Sequence, residues 1–193
     1  MRLRQICCDA QLMADYQAKP GEETSAKLDA LMELLAEARA GGHRMLVFSQ
    51  FTSMLKRIAA RLETEGVRYC YLDGSTQNRL ERCATFNQDA GIPVFLISLK
   101  AGGTGLNLTG ADMVVHFDPW WNPAAEEQAT DRAHRIGQKK TVQAIKMIAQ
   151  DTIEEKVLAL QQKKQQLIDA TVNVGDTAIV SSLTLAEIED LLA

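Results

Sequence analysis

The chain lacks the features that mark membrane, secreted and zinc-bound proteins. None of its hydrophobic stretches approaches the roughly 20 residues that a membrane span requires, and the basic N-terminus is not followed by the apolar core of a signal peptide. The four cysteines, Cys7, Cys8, Cys70 and Cys83, form no Cys-x-x-Cys pair and have no nearby histidine partner. A zinc site or a disulfide framework is therefore not predicted, and we expect reduced, buried thiols in a cytosolic protein without membrane contacts.

A Walker A loop is also missing. The tripeptides Gly-Lys-Ser and Gly-Lys-Thr, which end that phosphate-binding loop, occur nowhere in the 193 residues. A self-sufficient P-loop nucleotidase is therefore nearly excluded. What the chain does have is a hydrophobic content of 46 %, which fits one compact domain with its own core and rules out disorder as the main state.

Charge is unevenly distributed along the chain. The formal net charge is −4, but the segment from Thr171 to Ala193 holds four acidic residues and no basic one. The segment from Gln128 to Lys146, by contrast, carries five basic residues against the single acid Asp131. Such a basic patch fits a nucleic-acid partner and equally a solvated face, so charge leaves both interpretations open.

Short β-rich runs alternate with helical patterns along the middle of the chain. The predicted strands are Met45 to Phe48, Val67 to Leu72, Val94 to Ile97, Met113 to Phe117 and Val142 to Ile148. Apolar residues at helical spacing lie between the strands, beginning with the stripe from Phe51 to Leu62. This alternation predicts an α/β fold of three layers, in which a mostly parallel sheet is covered by helices on both faces.

Three segments are predicted. Residues 1–23 form an N-terminal helical flank with a linker, residues 24–150 the central α/β unit, and residues 151–193 a long helix followed by an acidic tail. Ser25 is expected to cap the helix that opens the central unit, and Thr152-Ile153-Glu154-Glu155 has the pattern of a capping box for the long helix. A connector from Thr171 to Ser182 and a short helix after Thr184 complete the prediction.

Polar and glycine-rich loops follow the predicted strands. Parallel strands end at the same edge of the sheet, which is where such folds bind ligands. Ser49-Gln50 follows the first strand, Asp73-Gly74-Ser75-Thr76 the second, Ser98 to Gly105 the third and Asp118 to Pro123 the fourth. The third loop has small residues that let backbone amides approach phosphate oxygens, although a plain tight turn would have the same composition.

A helix is predicted from Ala124 to Ile136. Within it, Gln128, Arg132 and Arg135 are spaced i, i+4 and i+7, which puts them on one face with two outward-facing guanidiniums one turn apart. Because a guanidinium is always charged and forks onto phosphate oxygens, this pair suits the stabilisation of charge on a transferred phosphate. The alternative is a pair of surface arginines held by neighbouring carboxylates, and spacing alone does not decide between the two.

These residues resemble a known family. Asp118 to Pro123, followed by Gln128-Ala129-Thr130-Asp131-Arg132-Ala133-His134-Arg135-Ile136-Gly137-Gln138, is similar to the signature of the Swi/Snf-type ATPases within helicase superfamily two. Lys100 to Leu108, Phe48 to Phe51 and Leu72 to Thr76 resemble further motifs of the second lobe, in the expected order. The resemblance extends over nearly the whole chain, up to about Ala170.

The resemblance implies a DNA-stimulated ATPase that moves along double-stranded DNA and has two RecA-like lobes, with ATP in the cleft between them. The first lobe of such motors supplies the Walker A lysine and an Asp-Glu box, and neither occurs here. The chain is therefore expected to be the second, C-terminal RecA-like lobe, to pair with a first lobe that also holds Mg²⁺, and to hydrolyse no ATP alone. A bacterial version would be cytoplasmic and associated with the nucleoid.

Site residues follow from the same resemblance. The arginine fingers would be Arg132 and Arg135, with Gln128 in the same motif. The positions facing the nucleotide would be Gly103, Gly105 and Asp131. The positions on the DNA backbone would be Ser49, Gln50, Ser75, Lys100, Gly102, Thr104 and Trp121. Apart from the resemblance, large aromatic side chains usually pack, so Trp120 is expected to be a core anchor rather than a DNA contact, and packing is an equal alternative for Trp121. No metal-binding residue is predicted.

A second hypothesis retains the predicted fold but assigns no motor function to the chain. In it the chain is a non-catalytic module that uses the same surface to bind DNA or protein. A Walker A loop encoded in the same gene or in a neighbouring one would favour the motor. Weak, sequence-blind and salt-sensitive binding to duplex DNA would favour either DNA interpretation over a protein platform.

Overall fold

A computed structural model describes residues 2–17, 25–101 and 105–172, and for residues 167–172 the backbone alone. In chain order the elements are α1 (Arg2–Cys8), a 3-10 turn (Ala10–Leu12), α2 (Ala26–Ala40), β1 (Met45–Ser49), α3 (Thr52–Thr64), β2 (Tyr69–Leu72), α4 (Arg79–Gln88), β3 (Val94–Ser98), β4 (Met113–His116), α5 (Pro123–Thr130), β5 (Gln143–Lys146) and α6 (Ile153–Val172). The predicted linker up to residue 23, and the predicted connector and last helix beyond residue 172, lie outside the described residues.

The sheet is parallel throughout the described chain. Its five strands lie in the order β2-β3-β1-β4-β5, and β1 pairs with β3 on one side and β4 on the other. All five residues of β1 are buried, as expected for a central strand with helices on both faces. The predicted α/β fold with a parallel sheet is confirmed, and each predicted strand is present.

Two hydrophobic cores lie on the opposite faces of the sheet. Along β1, Met45 and Val47 face the core formed with α2 and α3, whereas Leu46 and Phe48 face the core formed with α4 and α5. This alternation follows from the two-residue period of a strand. The helical stripe predicted between Phe51 and Leu62 is buried, because α3 packs it against the first core. The three-layer arrangement is therefore confirmed.

The two flanks pack together beside the sheet. Helix α1 contacts both α2 and α6, and a buried ion pair joins Lys27 of α2 to Glu154 of α6. Ser25 caps α2 as predicted, since its Oγ accepts a hydrogen bond of 3.0 Å from the backbone N–H of Leu28. Thr152 caps α6, accepting from the N–H of Glu154 at 3.2 Å. The segment boundaries near residues 23 and 150 stay predictions.

The thiols are mostly buried. Cys8, Cys70 and Cys83 are buried and free, whereas Cys7 is only half-buried, which corrects the expectation that all four lie inside. Burial raises the pKa of Cys83 to about 11, so this thiol is protonated at neutral pH. Among the described residues, none of the helices combines the length and the apolar character that a bilayer crossing needs.

Arg44 and Asp112 hold the amino end of the sheet, where they directly precede β1 and β4. The Arg44 guanidinium donates to the carbonyls of Phe86 (2.5 Å), Asp89 (3.1 Å), Ile92 (2.9 Å) and Gly110 (3.0 Å). The Asp112 carboxylate accepts from the backbone N–H of Arg44 at 2.9 Å and lies 2.9 Å from the Lys140 ammonium. Charged side chains therefore satisfy the backbone groups of the connections at this end.

Asp112 should make the fold sensitive to acid. Burial alone would raise the pKa of Asp112, but hydrogen bonds from Arg44, His43 and Lys140 outweigh it and lower the pKa from 3.8 to about 2. Because the folded pKa is depressed, the stabilisation is complete above the unfolded value and is lost as pH falls from about 4 to about 2. Asp112→Asn should remove about 2 kcal/mol of this pH-dependent stability. Urea unfolding across that pH range measures it.

The matched control is Asp15→Asn, which changes an exposed carboxylate. Its unfolding free energy should follow that of the unmodified chain at every pH. An Asp112→Asn chain with the same acid dependence as the unmodified chain would contradict the assignment to Asp112.

Candidate functional site

The carboxyl ends of β1 and β4 are joined by the buried carboxyl of Asp118. It accepts a hydrogen bond from the Ser49 hydroxyl, and the backbone N–H of Gln50 lies 3.3 Å from each of its oxygens. Burial raises the pKa of Asp118, while the hydrogen bonds from Ser49 and Gln50 oppose that rise. Ser49 is only 1 % exposed, so its predicted contact with a DNA phosphate is corrected to a structural contact with Asp118.

The loop after β2 is ordered by its own aspartate. Asp73 accepts from the backbone N–H of Ser75 at 2.9 Å and from its hydroxyl at 2.7 Å, and Thr76 accepts from the N–H of Asp73 at 2.8 Å. The hydrogen bond from the Ser75 hydroxyl lowers the pKa of Asp73, although burial opposes it. Ser75 itself is exposed, as a contact with a ligand at this edge would require.

The loop after β3 brings Lys100 to the same edge. Lys100 is exposed, and the neighbouring Leu99 is tied to β1 by a hydrogen bond of 2.9 Å from its N–H to the carbonyl of Ser49. The predicted site residues Gly102, Gly103 and Thr104 lie outside the described residues. Gly105 is exposed and has φ of 62°, a conformation that favours glycine.

The loop after β4 carries the two tryptophans. The Trp120 and Trp121 rings are tilted by 40° with their centroids 5.7 Å apart, and both residues are half-buried. Trp120 is therefore not the core anchor that the sequence suggests. Trp121 remains accessible at the edge where the sequence predicts a DNA contact.

Helix α5 is shorter than predicted. It starts after Asn122, whose side chain accepts from the N–H of Ala124 at 3.2 Å, and ends at Thr130 rather than at residue 136. The carbonyl of Arg132 accepts from the N–H of Leu108 at 3.0 Å instead of continuing the helix. Only Gln128 of the three predicted residues is therefore helical, and the expected single face with both arginines is wrong.

Arg132 is buried beside this turn. It is 3 % exposed, and its Nε has no hydrogen-bond partner. Burial lowers the pKa of Arg132, the charge of Arg135 lowers it further, and Asp131 opposes both. The expectation that both guanidiniums face outward is thus corrected for Arg132. A buried donor without a partner is costly, and an anion that contacted the Arg132 Nε would remove that cost.

Arg135, Gln128 and Asp131 are exposed around Arg132. The Arg135 guanidinium lies 3.4 Å from the carbonyl of Gly105, so the arginine segment packs along the continuation of the Lys100 loop. In the described part of the chain, no ion pair joins either arginine to Asp131 or Glu127. The alternative of two carboxylate-paired surface arginines is therefore not what this structure contains.

Several side chains at this edge were not identified from the sequence. They are Arg4 of α1, Glu126 of α5, and Gln161 and Lys164 of α6, all of which contact the tryptophan loop. No local motif marks Arg4, Gln161 and Lys164, because their contacts join positions that are far apart in the sequence, whereas Glu126 lies only six residues from Trp120. Asp118 did have a signal, since a lone carboxylate directly follows a buried strand.

Nucleotide and metal chemistry can be tested against the residues present. Within the described ranges, no group of three or more His, Cys, Asp and Glu side chains is arranged to hold a metal ion. The side chains that suit a nucleotide are cationic: Arg132 with an unsatisfied Nε, and Arg135 beside Gly105. This donor set can bind phosphate oxygens from one side, and it offers no carboxylate cage for Mg²⁺.

Comparisons with known proteins agree with the predicted family and with the fold. The family described as "Helicase conserved C-terminal domain" matches residues 26–137. Among solved structures, the chain is similar to the "Crystal structure of the C-terminal part of Fun30 ATPase domain", with a TM-score of 0.70, 34 % identity, and coverage of 96 % of this chain and 55 % of that one.

The curated relatives are also named as helicases or ATPases. The chain is 45 % identical over 168 residues to an "Uncharacterized ATP-dependent helicase" of Mycoplasma pneumoniae, covering 86 % of this chain and 16 % of the relative. It is 40 % identical to the "Putative ATP-dependent helicase/translocase YwqA" of Bacillus subtilis, covering 98 % and 21 %. For the "Chromatin-remodeling ATPase INO80" of Emericella nidulans the identity is 45 %, covering 75 % and 9 %.

The chain thus spans about a fifth or less of the length of these curated relatives. The family match covers more than half of this chain, and the solved structure reproduces its α/β fold over nearly all of it. The chain belongs to the helicase conserved C-terminal domain family, as the second, RecA-like lobe of a Swi/Snf-type ATPase of helicase superfamily two.

Proposed function

We propose that the chain is the C-terminal lobe of an ATP-dependent motor that moves along double-stranded DNA. In this proposal Arg132 and Arg135 act as arginine fingers on ATP held by a first RecA-like lobe. The carboxyl edge of the sheet grips the DNA backbone. ATP binding closes the two lobes, and hydrolysis releases the grip, so that alternation produces steps along the duplex.

The observation that carries the proposal is the state of the two arginines. Arg132 is buried with an unsatisfied Nε, and neither guanidinium has a carboxylate partner in the described part of the chain. A nucleotide phosphate would supply the missing negative charge. Ile136, which follows Arg135 in the sequence, is fully exposed, and this suits a surface that another lobe covers.

ATP would be bound mainly outside this chain. The chain lacks the Walker A loop and the Asp-Glu box, the motifs that cradle the triphosphate and hold Mg²⁺, and these would come from the first lobe. The contribution of this lobe would be charge stabilisation by Arg132 and Arg135, with Gln128, Asp131, Gly103 and Gly105 lining the same side of the cleft. We infer that the lobe alone does not hydrolyse ATP.

DNA would be bound at the edge where β1, β2, β3 and β4 end. Exposed Lys100 and Ser75 and half-buried Gln50 and Trp121 are available there, and we propose Gly102 and Thr104, which lie outside the described residues, as further contacts. Ser49 takes no direct part in this proposal, because its hydroxyl is committed to Asp118. Contacts of this kind reach phosphates and sugars, so binding would be indifferent to base sequence.

Binding of the chain to duplex DNA should weaken steeply as salt rises. Each phosphate neutralised by a basic side chain contributes about 0.9 to the slope of log affinity against log salt concentration. Lys100→Ala should lower that slope by about 1 and weaken binding to all duplex sequences alike. Fluorescence anisotropy of a labelled duplex at several salt concentrations measures both quantities.

The control for this experiment is Lys56→Ala, which removes an exposed lysine from α3. This variant should retain the slope of the unmodified chain. Salt-insensitive or base-specific binding would contradict the backbone-gripping proposal, and no binding to any duplex would favour a protein-binding module.

A further inference from the structure

The backbone around Trp120 is held by side chains from other elements. Its N–H donates to Glu126 Oε1 at 2.6 Å, and its carbonyl accepts from the side-chain amide of Gln161. The preceding carbonyl, of Pro119, accepts from the guanidinium of Arg4. Three successive polar groups of this loop are thus paired with α5, α6 and α1 rather than with a neighbouring strand.

The two indole rings contact cations from the same flanking helices. The Arg4 guanidinium lies 5.4 Å from the Trp120 ring centroid, and the Lys164 ammonium lies 5.2 Å from that of Trp121. Lys164 is 7 % exposed, and its Nζ has no hydrogen-bond partner. Gln161 and Lys164 are three residues apart on α6, so one face of this helix contacts both tryptophans.

Further bonds connect these side chains to one another. Lys146 at the end of β5 lies 2.7 Å from Glu126 Oε2 and donates to Gln161 Oε1 at 3.0 Å. On the other side, Arg4 donates to the side chain of Gln50 at 3.0 Å. A change in the position of α1 or α6 would therefore alter the hydrogen bonds that fix the loop.

We propose that Arg4, Gln161 and Lys164 are positioning residues that set the conformation of the Trp120-Trp121 pair, so that the two flanking helices control how this loop meets the DNA backbone. A loop without strand partners takes its shape from whatever satisfies its buried polar groups. Here two of the three partners, Arg4 and Gln161, come from segments before and after the α/β unit, and only Glu126 comes from within it. The effect on DNA rests on the proposed function, whereas the effect on loop conformation does not.

The tryptophans themselves provide the test, because the chain contains only these two. Their intrinsic fluorescence, and its quenching by acrylamide, therefore report on this loop alone. Gln161→Met and Lys164→Met should each shift the emission to the red and raise the quenching constant. Arg4→Met should do the same, since it frees the Pro119 carbonyl and one face of Trp120.

Each variant has a neighbour of the same type as its control. Gln162→Met, Lys163→Met and Arg2→Met change exposed residues of the same helices and should leave emission and quenching unchanged. Far-UV circular dichroism and the melting temperature identify variants that are folded. If Arg4→Met does not fold, Arg4→Lys replaces it, because a lysine keeps the charge but lacks the planar fork whose two nitrogens bond Gln50 and Pro119.

Duplex binding supplies the second readout. Where the unmodified chain binds duplex DNA, folded Gln161→Met should bind about 3- to 10-fold more weakly, in keeping with the loss of one hydrogen bond. Unchanged quenching in folded Gln161→Met and Arg4→Met would overturn the proposal, and changed quenching with unchanged binding would overturn its link to DNA. If the unmodified chain bound no duplex, the proposed function would fail while the quenching result still decided the positioning role.

Discussion

Arg132→Ala is expected to lower the ATP turnover of a two-lobe protein containing this chain by about 10³- to 10⁵-fold. The guanidinium would stabilise negative charge that grows on the transferred phosphate, and its Nε, which has no hydrogen-bond partner in the structure, is a donor that a phosphate oxygen could use. Turnover in the presence of saturating duplex DNA, with a first RecA-like lobe joined ahead of residue 1 or added in trans, measures the effect.

Two comparisons separate this role from a general loss of folding. Arg39→Ala removes an exposed guanidinium from the last turn of α2 and should leave turnover unchanged. Arg132→Lys keeps a charge but not the forked donor, and should restore only a small part of the activity. Full turnover by Arg132→Ala would contradict the finger assignment, as would comparable turnover by the 193-residue chain without any first lobe.

Lys27→Met should cost about 3 to 5 kcal/mol of unfolding free energy. Lys27 and Glu154 are 8 % and 0 % exposed, and their ion pair joins the start of α2 to the start of α6. Without Lys27, Glu154 would be a buried carboxylate held only by the N–H of Ala149 at 2.9 Å. Its Oε1 already has no hydrogen-bond partner. Urea unfolding at neutral pH measures the loss.

The double variant Lys27→Met/Glu154→Gln shows whether the cost comes from the unpaired charge. Glutamine keeps an acceptor for the Ala149 N–H, so the double variant should recover most of the stability that the single variant loses. Lys56→Met, at an exposed position of α3, is the matched control and should change stability little. A loss from Lys27→Met no larger than that of the control would contradict the structural role of the pair.

The fold was largely predictable because its signals are local. A strand buried on both faces is typically a continuous apolar run, as Met45 to Phe48 is, and parallel strands need helical crossovers that show their own periodicity. The caps at Ser25 and Thr152 are equally local, because each hydroxyl bonds a backbone N–H two or three residues ahead. These features depend on neighbours in the sequence, so the sequence alone indicates them.

The site was less predictable because its decisive contacts are long-range. The end of α5 depends on the Arg132 carbonyl bonding the N–H of Leu108, a residue that precedes the helix by an entire strand. Arg4 bonds a carbonyl 115 residues away, and Gln161 bonds one 41 residues away. No periodicity in the sequence indicates such pairs. Helical spacing therefore predicted one continuous helix face with both arginines, where the structure has a turn.

The positions of Arg44 and Asp112 indicate that the two ends of the sheet have different roles: the amino ends of the strands stabilise the fold, and the carboxyl ends carry the candidate site. Both residues lie where β1 and β4 begin, whereas the arginine segment and the tryptophans follow the places where strands finish. Substitutions at the amino ends of the strands should lower the fraction of folded molecules without changing the kinetics of the molecules that remain folded. Inactivating mutations would accordingly fall into two groups. Those at the amino ends of the strands would lower the amount of folded protein, and those at the carboxyl ends would lower the activity of each folded molecule.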